Sequence, residues 1–242
     1  MPYFESRLKI DTADQRATIE KLELCKKLKI KNLIVELNNA PMAILNERIK
    51  VLEGYKPPNI NLFYRVNLNI NNLKVYRKVI KQYNKFPYIV SLTSKEKKIQ
   101  IAGAKDTRVD ILSFSESEVL KTLSKGIISL VKQDEAFLEF SLSPIFNTNR
   151  RNQSKNIRNL YRYINLAKNN KVKFLISGNF DNPYDLRNPR TLMSVCHTFF
   201  NLPLSYSKKI FKEYPKELIK RTRQRIDKRY IKSGIKLIER GY

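Results

Sequence analysis

The chain has 242 residues, 42% of them hydrophobic, which is enough to bury the core of one α/β barrel or of two smaller domains. Its 48 basic and 22 acidic residues leave a net charge of +26, far from the balance of most soluble enzymes, and point to a polyanionic partner. None of the six glycines builds a GxGxxG or Walker loop, the one histidine rules out a histidine-rich metal centre, and two cysteines far apart in sequence make no disulfide framework.

Residues 2–8 read as a weak first strand. Asp14 is placed to cap a helix in which Ile19, Leu22, Cys25 and Leu28 share a face. Residues 33–37 are a short buried strand, and Pro41 opens a second helix that runs to about residue 53. Gly54, Pro57 and Pro58 lead to a strand at 62–66 with Arg65 near its end. Leu73, Tyr76, Val79, Ile80 and Tyr83 mark a third helix, and residues 88–92 the next strand. Ser94 starts a short helix with Ile99, Ile101 and Ala102; 109–112 is a strand, and 119–131 contains a further helix.

The stretch 136–200 is the most regular. An apolar strand at 136–142 is followed by a turn with Pro144, Asn147 and Asn149, then Arg150 and Arg151, then a helix with Ile157, Leu160, Tyr161, Ile164 and Ala167 on one face. Residues 172–176 are another strand, and a polar loop holding Ser177, Gly178, Asn179 and Asp181 precedes a helix started by Pro189, with Leu192, Val195, Cys196 and Phe199 on its apolar side. About seven strands thus alternate with helices over ~200 residues, the pattern of a parallel sheet. The count fits a closed β/α barrel or an open doubly wound sheet.

After Pro203 the pattern changes, and residues 205–242 read as a basic helical extension to a domain of residues 1–204, with Pro215 at a helix start and Leu218, Ile226 and Tyr230 as anchors. Charge is uneven. Residues 1–146 hold 25 basic and 16 acidic residues, whereas 147–242 hold 23 and 6, so the polyanion is expected on the second half. Neither a signal-peptide pattern nor an apolar run of membrane-spanning length is seen, and free thiols suit a reducing cytosol, so no membrane partner and a cytoplasmic location are expected.

The candidate RNA-binding residues are Arg65, Lys105, Arg108, Arg150, Arg151, Arg187 and Arg190, read as lying in loops after strands, with Arg221, Arg223 and Arg225 in the extension. Acidic neighbours offer a competing ion-pair reading for Arg108, flanked by Asp106 and Asp110, and for Arg187, near Asp185. Arg150 and Arg151 have no acidic neighbour. Tyr161, Tyr163 and Tyr184 are candidates for stacking on bases, with core packing an equal account of Tyr161. Catalytic and metal residues are not assigned: His197 lies mid-helix among apolar residues, Ser177 has no histidine partner, and the carboxylates Glu36, Asp106, Asp110 and Glu139, which lie in or near strands, are read as structural more readily than as a metal site. A carboxylate-only Mg²⁺ phosphoesterase on the same scaffold is the alternative, and a ribosome-associated RNA-binding protein a third reading.

Five phrases in order carry a resemblance: AKDTRVDIL at 104–112, LEFSL at 138–142, the Arg-bearing helix after Arg150, LISGN at 175–179 and LRNPRTL at 186–192. Together they are similar to the family of the TIM-barrel protein subunit of archaeal and eukaryal ribonuclease P (protein component 3). The resemblance, rather than the periodicity, selects an α/β TIM-like barrel of about seven β/α units. It implies a noncatalytic subunit of the ribonucleoprotein that removes the 5′ leader of precursor tRNA. On that reading the RNA subunit carries out hydrolysis with Mg²⁺, and this chain binds no cofactor. The partners implied are ribonuclease P RNA, a small ferredoxin-like protein subunit and other ribonuclease P proteins, with precursor tRNA contacted indirectly.

Overall fold

The computed structural model describes residues 3–146, 149–179, 182–227, 230–232 and 235–236. Seven parallel strands pair in chain order: β1 (Phe4–Lys9), β2 (Asn32–Leu37), β3 (Asn61–Asn69), β4 (Ile89–Thr93), β5 (Ile111–Phe114), β6 (Phe137–Ser141) and β7 (Phe174–Ser177). Between them run α1 (Gln15–Lys27), α2 (Met42–Tyr55), α3 (Leu73–Val79), α4 (Lys97–Ala104), α5 (Ser117–Leu120), α6 (Lys125–Gln133) and α7 (Arg150–Asn169). After β7 comes α8 (Pro189–Phe200). The sheet curls into a nearly closed barrel, the architecture read from the sequence.

Alternation along each strand builds two cores. Outward residues such as Leu33, Val35, Val66, Val90, Leu112, Leu138 and Phe174 pack under the helices. Inside, Phe4, Ile34, Ile89, Ile111, Phe137 and Leu175, at or near the strand starts, form an apolar floor. Above that floor the inward positions turn polar, and register decides who meets whom. Glu36 of β2 stands beside Arg65 of β3, and Ser113 of β5 beside Glu139 of β6.

The seam between β1 and β7 has no strand ladder. On the other side of β1, the register with β2 shifts between Glu5 and Leu8; across the seam itself, buried Glu5 accepts the Gly178 backbone N–H at 3.1 Å. With no cation beside it, burial pushes the Glu5 carboxyl up to about 7; the charge of Glu139 adds to the rise, and the N–H groups of Arg7 and Gly178 oppose it. Gly103 has a separate steric role: a Cβ there would lie 2.3 Å from Leu92 Cδ2, so a side chain at this position would require Leu92 to move where α4 packs on β4.

The C-terminal segment, expected as a helical extension with a helix start at Pro215, is helical only in part. α9 (Leu204–Lys208), a π turn at Lys209–Glu213 and α10 (Tyr214–Ile226) are followed by two short antiparallel strands, β8 (Tyr230–Lys232) and β9 (Ile235–Lys236). The turn buries Ile210 and Phe211 in the main core, and α10 inserts Leu218 into the barrel floor. Ile226, expected as an anchor, is exposed because the helix ends there; the side chain of Tyr230 lies outside the described residues. Residues 204–226 are therefore built into the barrel.

Candidate nucleic-acid interface

The candidate basic side chains occupy four places: the barrel interior, the end where strands begin, the end where strands finish, and the outside of α7. Arg65 belongs to the first. It is 0% exposed, so it is not a loop residue available to phosphate. Its Nη1 and Nη2 donate to Glu139 Oε1 at 2.5 Å and Oε2 at 3.0 Å. Arg7, which the sequence reading passed over, lies 2.7 Å from Glu36 through Nε and donates through Nη1 to Ser115 at 2.8 Å and Ser113 at 3.1 Å. Burial alone would push the Glu139 carboxyl up, but Arg65 and Arg7 outweigh it and hold the group below the ordinary carboxylate value. Two guanidiniums and two carboxylates thus neutralise one another in the centre of the barrel.

Lys105 and Arg108 correct the sequence reading in another way. They follow α4 and precede β5, which places them at the strand N-terminal end, opposite the loops after strands. Arg108 folds onto Asp106, with Nε and Nη2 each 2.8 Å from a carboxylate oxygen, as its acidic neighbours suggested. Lys105 is exposed. Two of the three arginines assigned to the extension are clamps at the same end. Arg225 donates to Asp110 Oδ2 at 2.8 Å, the Arg108 carbonyl at 2.7 Å and the Tyr88 carbonyl at 3.0 Å. Arg221 reaches Asp110 Oδ1 at 3.3 Å and the Asp134 carbonyl at 2.8 Å. Arg223 alone of the three points outward.

The strand C-terminal end holds Arg187 and Arg190, on the segment that leads from β7 into α8. Arg187 donates to the carbonyls of Tyr184 at 2.6 Å and Leu186 at 3.0 Å and lies over the Phe146 ring, so it ties two loops together and is not paired with Asp185. Arg190 is exposed, with its guanidinium 5.9 Å from the Tyr3 ring centre. The turn at Ser143–Phe146 is held by α7: Gln153 donates to the Ile145 carbonyl at 2.7 Å and Asn156 to the Pro144 carbonyl at 2.8 Å.

Arg150 and Arg151 open α7, where the Asn149 side chain accepts the Asn152 N–H. Both are exposed. They continue into cations that the sequence reading missed. Arg151, Lys155, Arg158 and Arg162 follow one another at i, i+4, i+7 and i+11, a single row opposite the buried Leu160, Ile164 and Ala167. The signal was legible: this 20-residue helix carries six basic residues and no acidic one. Among the described residues, Arg150, Arg151, Lys155 and Arg158 have no side-chain hydrogen bond or ion pair, and Arg162 only lies over the Tyr163 ring at 5.7 Å. Cations in the first turn oppose the helix dipole at about 0.3–1 kcal/mol each, and like charges four apart cost roughly 0.2–0.5 kcal/mol. The row is kept against the stability of its own helix.

Tyr161, read as part of the apolar face, is 46% exposed beside that row, and Phe199 is also exposed; each lies at the edge of its helix's buried stripe. Tyr184 is exposed too, while Tyr163 donates to the Lys121 carbonyl. His197 sits in the last turn of α8 with Nδ1 2.9 Å from the Leu202 carbonyl. Among the described residues no group of three or more His, Cys, Asp or Glu side chains could hold a metal ion, and no helix is long and apolar enough to cross a membrane.

The comparisons agree with this architecture. No curated protein sequence matches the chain. In structure it is similar to a chain of the cryo-EM structure of archaeal ribonuclease P with mature tRNA, with a TM-score of 0.78, 20% identity and 99% of each chain covered. The sequence model of the family described as RNase P subunit p30 matches residues 4–227, from the first residue of β1 to just past α10. The chain belongs to the RNase P subunit p30 family.

Proposed function

We propose that this chain is a noncatalytic, RNA-binding subunit of the ribonuclease P that removes the 5′ leader of precursor tRNA. Membership of the p30 family supports the assembly; the barrel interior supports the noncatalytic role. Barrel enzymes place their chemistry where strands end. Here the two strand carboxylates nearest that centre, Glu36 and Glu139, are held by Arg7 and Arg65. A cation brought to them would face two buried guanidiniums, so the alternative of a carboxylate-only metal phosphoesterase is disfavoured by the residues present. The chain's contribution is charge neutralisation, which lets phosphate-dense RNA helices approach each other, together with a ferredoxin-like protein partner and other subunits. Hydrolysis and its Mg²⁺ belong to the RNA on this reading.

The test is cleavage of precursor tRNA in Mg²⁺ or Mn²⁺. The purified chain alone is expected to be inactive, and to support cleavage once ribonuclease P RNA and the partner protein are added. Cleavage by the chain alone that disappears in Glu36→Ala or Glu139→Ala would overturn the reading.

A further inference from the structure

We propose that the outer face of α7 takes the phosphate backbone of folded RNA, with Arg151, Lys155, Arg158 and Arg162 following one strand. The inference rests on the RNA-binding reading above and says where on the molecule the contact is made. Three observations carry it. The row is straight and long: eleven residues at ~1.5 Å rise span ~16 Å, with neighbours ~5–6 Å apart. It is uncompensated, since the helix has no acidic residue, and Arg150, Arg151, Lys155 and Arg158 have no ion pair among the described residues. It also contrasts with the five arginines that the fold pairs with carboxylates. Arg7, Arg65, Arg108, Arg221 and Arg225 each sit within 3.5 Å of a carboxylate oxygen. A face that repels itself and opposes its own dipole is satisfied by an external anion. A row of several cations suits a regularly spaced polyanion better than one carboxylate. Backbone contact of this kind sets position and carries no sequence preference.

The test compares two fourfold variants with equal loss of charge, binding a ribonuclease P RNA transcript across a salt series. One is Arg151→Gln, Lys155→Gln, Arg158→Gln and Arg162→Gln. The control is Arg77→Gln, Lys78→Gln, Lys97→Gln and Lys98→Gln, exposed cations of α3 and α4. The α7 variant is expected to lower the salt slope by about 3 units and the control by less than about 1. A third variant, with Arg151, Arg158 and Arg162 changed to Lys, keeps the charge and should keep the slope. The melting temperature of the glutamine variant should stay level or rise, because like charges are removed. Equal loss in both fourfold variants, an unchanged slope in the α7 variant, or a melting temperature lowered by more than about 5 °C would overturn the assignment. If the unmodified chain itself failed to bind the transcript, the RNA-binding reading would fall, not merely the location.

Discussion

The arginines of the barrel interior and those of α7 are the same residue in opposite settings. Arg65 and Arg7 are buried, and each has a carboxylate across the barrel. Arg151 and Arg158 are exposed and have none among the described residues. The difference teaches that the count of basic residues says little about where a polyanion binds; what separates structural from available arginine is whether a carboxylate meets it in the fold. Arg221 and Arg225 sharpen the point. They lie in the most basic run of the sequence, yet Asp110, 111 and 115 residues earlier, receives both.

The comparison can be broken most strongly at Arg65. Arg65→Ala leaves Glu139 buried beside a single remaining guanidinium, and should cost about 3–5 kcal/mol of stability, read by urea unfolding. A cost under ~1 kcal/mol would mean that the interior arginines are as dispensable to the fold as surface ones. Next comes the floor. Leu218→Ala removes the side chain that α10 places in the barrel and should cost about 2–5 kcal/mol, and truncation after Phe211, which also removes both clamps on Asp110, should give an unfolded or insoluble chain. A soluble truncation with a cooperative thermal transition by circular dichroism would show that α10 is an attachment.

Glu5 repeats the comparison among carboxylates. Glu139, with two guanidiniums, is held low; Glu5, with none, is raised to about 7. A raised carboxylate stabilises the fold fully below its unfolded value of 4.5, and that contribution is lost as pH rises through about 7. The total is about 3 kcal/mol across that range. Glu5→Gln keeps an acceptor for the Gly178 N–H without titrating. The stability of wild type relative to this variant should therefore fall between pH 5 and 8, and curves that stay parallel would remove Glu5 from the account. The smallest effect on folding is expected at Arg150 and Arg151. Replacing both with Ala should change stability by less than about 0.5 kcal/mol while lowering the salt slope of RNA binding by about 1.5–2 units. A large drop in melting temperature would move them into the paired class.

Much of this was legible in the sequence, for reasons of range. Strands and helices come from local periodicity, and the chain order of β and α units survived intact in the structure. The phrases around 138–142 and 186–192 pointed to the p30 family and its barrel. What local pattern could not give was pairing across the barrel. Arg65 looks like any charged residue near a strand end until register sets it against Glu36 and its reach brings it to Glu139, 74 residues away. Arg7 was hidden in a strand whose irregular register blurs its alternation. The end of the barrel that receives Lys105 and Arg108 follows from whether a loop precedes or follows a strand; both lie between α4 and β5, ahead of the strand read at 109–112, and that order was overlooked. The α7 row needed no long-range knowledge; it was missed because the apolar face was read and the opposite face was not.

Leu218 has one more implication, for the order in which the protein comes into being. The floor it completes is contributed by strands that start at Phe4, so the first strand waits for a side chain more than two hundred residues downstream. Emerging from the ribosome, a chain that has finished β7 still has an open apolar floor and a β1–β7 seam without the turn that buries Phe211. Closure falls late in synthesis, and until then the nascent barrel exposes Phe4, Ile34 and Phe137. A p30 subunit held on the ribosome with residue 218 not yet emerged should therefore bind chaperones, whereas the 242-residue chain freed from the ribosome should not.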